Sequence, residues 1–145
     1  MQKLTFDVEI NAPAQKVWDV LWNDTTYPEW TRPFGGGGYA KTDWQKGSRV
    51  HFLSATGEGM YSTIEKTAPG EVMIFKHLGY VKNGIEQPES EESKKWAGAM
   101  EEYYLEEKEG KTILTCNVDI DESHVEYFKK AFPEAFLAVK DIAER

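Results

Sequence analysis

The order of its parts constrains this chain more than any single motif in it. Leu4, Phe6, Val8 and Ile10 alternate with polar neighbours, as in a strand with one face on a core and the other in water. Ala12-Pro13 then leads into a short helical stretch carrying Val17-Trp18 and Leu21-Trp22, and several strand-like segments follow. The carboxyl end closes on a long amphipathic stretch in which Val125, Phe128, Phe132, Phe136, Val139 and Ile142 recur every three or four residues. A long helix laid across a curved antiparallel sheet can leave an apolar hollow between the two layers, and such hollows are where small ligands bind. The expected class is therefore α+β.

The punctuation between these parts fixes the element count. Asn11 is expected to cap the first helix, with Pro13 in its first turn, and the helix runs to about Trp22. Asn23-Asp24-Thr25-Thr26 breaks it and starts a single turn around Tyr27-Pro28-Glu29-Trp30, which Pro33 stops. Gly35 to Gly38 read as an irregular, flexible flap. Strands are expected at about Tyr39–Gln45, Ser48–Ser54, Gly59–Lys66 and Glu71–Val81, separated by Lys46-Gly47, Thr56-Gly57 and Pro69-Gly70. Asn83 to Lys95 is polar and acidic and reads as a long solvated loop. Two further strands, about Trp96–Glu107 and Thr112–Ile120, join through Glu109-Gly110, giving about seven in all. Asp121 or Ser123 caps the closing helix, and Pro133 is expected to bend it.

Charge and composition remove several function classes. The chain of 145 residues has the size of one domain, residues 1–145, with one substantial core. Its 17 basic and 25 acidic residues give a net charge of −8, which disfavours nucleic acid and anionic membrane surfaces. No apolar run approaches the roughly 20 residues that cross a bilayer, so no membrane span is expected. The single cysteine, Cys116, forms no internal disulfide, and Met1-Gln2-Lys3-Leu4 opens directly on a strand without an apolar secretion segment. A cytoplasmic location follows as an expectation.

Several pieces taken in order carry a family resemblance. Ile10-x-Ala12-Pro13-x-x-x-Val17-Trp18-x-x-Leu21, Trp30, Gly47-Ser48 opening a strand, Pro69-Gly70, Trp96 and a closing helix with Phe132-Pro133 span nearly the whole chain. Together they resemble the START-like superfamily, also called SRPBCC or helix-grip proteins. Within it the pattern is most similar to the small bacterial homologues of the activator of the heat-shock-protein-90 ATPase. The resemblance implies a seven-stranded antiparallel sheet wrapped around the carboxyl-terminal helix, two small helices between the first two strands, and a cavity under the long helix. It implies no single reaction, since members bind lipids, hormones or polyketides and some are cyclases.

The residues themselves favour binding over catalysis. His51, His77 and His124 lie in different segments with no paired spacing, so neither a metal nor a cofactor is expected. Cys116 alternates with Leu114 and Val118 and reads as a buried small hydrophobe. In Glu101-Glu102 and Glu106-Glu107, strand neighbours point to opposite faces; one of each pair could face a cavity, but a solvated edge is the favoured reading. The favoured function is binding of a small apolar or aromatic molecule, lipid-like or polyketide-like. Phe52, Met60, Phe75 and Trp96 of the sheet and Phe128, Phe132 and Phe136 of the long helix would hold it, with Trp30, Phe34 and the glycines at the entrance. His51 and His77 would supply polar contacts. A second reading is a protein-interaction module, with a chaperone as one candidate partner, using the acidic loop Glu86 to Glu92. A third is a cyclase-like or hydrolytic enzyme in which His51, His77 or Tyr103 guides proton transfer. A homodimer is compatible with one exposed sheet face.

Overall fold

The computed structural model describes all 145 residues. Strand β1 (Gln2–Ile10) is followed by helices α1 (Ala14–Trp22) and α2 (Tyr27–Trp30). Strands β2 (Tyr39–Lys41), β3 (Arg49–Leu53), β4 (Gly59–Ala68), β5 (Val72–Lys82) and the two-residue β6 (Ile85–Glu86) come next. Helix α3 (Glu91–Trp96) precedes β7 (Met100–Lys108) and β8 (Lys111–Ile120), and a 3-10 turn, Glu122–His124, leads into α4 (Val125–Ala143). The strands form one antiparallel sheet in the order β1-β8-β7-β5-β4-β3-β2, with β6 paired to β5.

The alternation expected of β1 and β8 is present. Leu4, Phe6 and Val8 of β1 lie opposite Val118, Cys116 and Leu114 of β8, so both strands turn their apolar residues to one face. Helix α4 lies across that face. Phe6 and Phe132 stack there with ring centroids 4.7 Å apart and planes 11° from parallel. Pro133 lies on the exposed side of α4, which runs on through it to Ala143. Register shifts between β4 and β5, at Tyr61/Ser62 and Ile64/Lys66, mark bulges that bend the sheet.

Three local expectations are corrected. Asn11 does not cap α1: Pro13 takes the N-cap position, and the Ala14 amide donates to Glu107 Oε1, 2.6 Å away on β7. The Asn11 amide itself donates to Glu144 Oε2 at 2.8 Å, so carboxylates distant in sequence replace the local cap. The flap reading of the glycine run fails at Gly38, where a β-carbon would lie 2.6 Å from Leu53 O. That glycine permits a close backbone approach to the end of β3.

The third correction concerns residues 83–95, which hold β6 and α3 instead of a bare loop. Ser90 caps α3 by accepting from the Ser93 amide at 3.1 Å, Glu91 and Glu92 occupy its first turn and Lys94 and Lys95 its last. This is the charge order a helix dipole favours. Trp96 accordingly ends a helix, and β7 starts only at Met100.

The tertiary reason for α3 lies at the edge of β5. β7 pairs with β5 only from Val72 to Lys76, so the next stretch of β5 lacks that neighbour. Ser93 fills the gap, its Oγ accepting from the Tyr80 amide at 2.8 Å. Gly79 makes the approach possible, since a β-carbon there would lie 2.6 Å from Ser93 Oγ and 2.8 Å from Tyr61 Cε1. Gly79→Ala is expected to lower stability by about 1–3 kcal/mol through overpacking. Urea unfolding, with amide exchange at Tyr80 as local readout, checks this; unchanged exchange there would refute the contact.

Candidate functional site

Between the sheet and the amino-terminal half of α4 lies an open cavity of about 460 Å³, within the range of small-molecule sites. α2 and the glycine turn contribute Tyr27, Trp30 and Phe34, the β3–β4 hairpin contributes Phe52 and Met60, and α3 contributes Trp96. Phe128 and Phe132 of α4 close it from above. Phe34 packs edge-on to Phe132 at 4.9 Å and tilts toward Phe128 at 6.0 Å, linking the glycine turn to α4. Aromatic rings are thus the largest group in the lining, with polar and charged side chains set among them.

Three of the polar lining groups, His77, Glu101 and Tyr103, form one connected chain with Ser62 beneath them. Buried Ser62 Oγ lies 2.6 Å from His77 Nδ1, and His77 Nε2 lies 3.0 Å from Glu101 Oε1. The Tyr103 hydroxyl donates to Glu101 Oε2. The protonation pattern that satisfies every atom has Ser62 donating to Nδ1 and Nε2–H donating to Glu101. Burial, and after it the charge of Glu101, pushes the Tyr27 and Tyr103 hydroxyls far above the ordinary tyrosine range, so both remain protonated donors. The same two causes raise the thiol of Cys116, which is fully buried and no candidate nucleophile.

A bulge positions His77. Tyr61 pairs with Gly79 and Ser62 with His77, which leaves Leu78 as the extra residue on β5. His77 and Tyr80, three apart, therefore both reach the cavity, although strict alternation would put them on opposite faces.

No family model matches the sequence, and no curated protein matches it. Solved structures do match over the full chain. The Aha1 dimer from Colwellia psychrerythraea is 17% identical with a TM-score of 0.73, covering 99% of this chain and 97% of that one. Protein MLL2253 from Mesorhizobium loti is 12% identical with a TM-score of 0.75, covering 97% and 96%. CalU16 from Micromonospora echinospora is 12% identical with a TM-score of 0.68, covering 99% of this chain and 76% of that one. The chain has the START-like fold.

In this START-like frame, nine of the twelve residues singled out from the sequence come together: Trp30, Phe34, Phe52, Met60, His77, Trp96, Tyr103, Phe128 and Phe132 border the cavity. Trp30 is only 2% exposed, with its indole N–H donating to Leu21 O at 3.0 Å, so it belongs to the wall and not to an entrance. Three residues lie elsewhere. His51 precedes Phe52 on β3 and so faces the other side of the sheet, where Nε2 lies 2.7 Å from Glu86 Oε2 beside the Arg49–Glu86 pair. Phe75 lies beneath the lining, edge-on to Phe52 at 5.0 Å and to Trp22 at 5.4 Å. Phe136, one turn beyond Phe132, is buried in the core.

The sequence reading missed Glu101, Tyr27 and Tyr80. For the pair Glu101-Glu102 a solvated edge is the favoured expectation, yet Glu101 borders the cavity with its side chain 21% exposed. Alternation with Tyr103 was the available signal, since residues two apart on a strand share a face. Tyr27 and Tyr80 gave none, because a one-turn helix and a bulge orient them.

Proposed function

We propose that the protein binds a small hydrophobic molecule with aromatic or other planar apolar surface, lipid-like or polyketide-like, in the cavity between the sheet and α4. The observation that carries this reading is an open hollow of about 460 Å³ walled by rings from seven separate elements. Unfilled apolar volume forfeits packing, so a cavity kept at this size favours an occupant. The binding unit in this reading is the whole chain as one domain. A homodimer and a cytoplasmic setting accompany it; the likeness in fold to the Aha1 dimer supports the first, and the unpaired buried Cys116 fits the second.

Native mass spectrometry of protein purified from its own host, followed by denaturing extraction, tests the reading. A stoichiometric apolar small molecule is the expected result. A protein that is reproducibly empty, and that takes up no apolar probe, would refute it.

A second reading, proton transfer on the bound molecule, draws support from the chain of Ser62, His77, Glu101 and Tyr103 at the cavity wall. Recovery of the extracted molecule chemically unchanged after prolonged incubation with fresh protein would count against it. The interaction-module reading loses part of its footing, since Glu86 of the acidic stretch is already held by Arg49 and His51.

A further inference from the structure

The cavity walls combine many rings with an uneven charge. No lysine or arginine lines the cavity, whereas Glu58, Glu92, Glu101 and Asp119 do. Lys3 balances Asp119 from outside at 3.3 Å. No lysine or arginine lies within ion-pairing distance of the other three, and His77 is the one basic side chain that touches Glu101.

Glu101 is the decisive group, because it stands among the rings and not at the rim. Its two oxygens take hydrogen bonds from His77 and Tyr103, which hold the carboxylate in place and leave its remaining acceptor capacity unspent. A purely apolar ligand seated against it would strip water from a charged group and return nothing. An anionic head group would meet four carboxylates, of which only Asp119 is paired with a lysine, and no lysine or arginine in the lining, whose basic side chains are His77 and His124. An ammonium group answers both problems, pairing with Glu101 while aromatic faces such as those of Tyr27 and Phe52 attract its positive charge.

We infer that the ligand is an organic cation: an apolar, ring-bearing body with a protonated amine that docks against Glu101. The inference rests on the binding reading above and narrows it to one ligand class.

Three probes that share one body separate the two claims: naphthylethylammonium, ethylnaphthalene and naphthylpropionate, titrated by calorimetry, with amide shift changes locating the site. The ammonium compound is expected to bind about tenfold or more tighter than the neutral one, and the carboxylate more weakly than either. Glu101→Gln keeps the shape but offers one acceptor oxygen where the carboxylate takes hydrogen bonds from both His77 and Tyr103, and it is expected to abolish the preference for the ammonium compound over the neutral one. Native amide shift dispersion outside the cavity shows that the variant is folded. Neutral or anionic probe binding as tight as the ammonium compound, or a preference that survives Glu101→Gln, overturns the ligand class and leaves the cavity reading standing. Failure of all three probes to shift cavity residues overturns both.

Discussion

Phe132→Ala is expected to lower stability by about 3–5 kcal/mol, the range for removing a buried phenylalanine from a core. The residue is 3% exposed and meets four other rings: Phe6 stacked at 4.7 Å, Phe34 at 4.9 Å, and Phe128 and Phe136 each at 5.9 Å. It joins α4 to β1 on one side and to the glycine turn on the other, so surrounding atoms cannot collapse into the gap without moving an element. Urea denaturation gives the stability change. Ethylnaphthalene binding, measured below the unfolding transition, gives its bearing on the cavity. A stability loss below about 1 kcal/mol would show that the ring is not part of the core. Lost stability with unchanged binding would mark Phe132 as core alone, whereas lowered affinity in the folded variant would give it a share in the cavity wall.

His77→Leu is expected to lower stability by about 2–5 kcal/mol, because two polar groups lose their partner together. Ser62 is fully buried and bonds to Nδ1, and Glu101 bonds to Nε2 with its side chain 21% exposed. Leaving a buried group unsatisfied costs about 1–3 kcal/mol, and more when it is charged. His77→Gln has an amide that reaches one of the two partners and is expected to recover about half of that loss. The order of the variants is the check: leucine less stable than glutamine, and glutamine less stable than histidine. Equal stability of the leucine variant and the parent protein would mean that the Ser62–His77–Glu101 chain is not formed in solution.

The two variants probe parts of the molecule that differed in how visible they were in the sequence. The stripe of Phe128, Phe132 and Phe136 follows from helical period alone, as does the alternation of β1 and β8. In each, the side chain's direction is set by its own backbone, so local geometry suffices. α3 was also within reach: Ser90 followed by Glu91-Glu92 and then Lys94-Lys95 has a capped start and the charge order of a helix. The wide acidic character of the stretch concealed it.

Other features depended on contacts that no local pattern carries. His51 and Phe52 were both assigned to the cavity, although neighbours on a strand face opposite ways; which of the two points inward is settled by β3 pairing between β2 and β4. The bulge at Leu78 reverses the phase of β5 and brings His77 and Tyr80 to one side. The cap of α1 comes from Glu107, 93 residues away.

By itself the sequence determined the α+β class, the order of elements outside residues 83–96, the apolar faces of β1, β8 and α4, and the acidic balance of the chain, because these depend on backbone period and residue counts. The tertiary structure alone decided which rings line the cavity, which only support it, and that Glu101 stands among them between His77 and Tyr103. Those outcomes turn on strand register, one bulge and the approach of α3 to Gly79, where a shift of one residue exchanges the inner face of a strand for the outer.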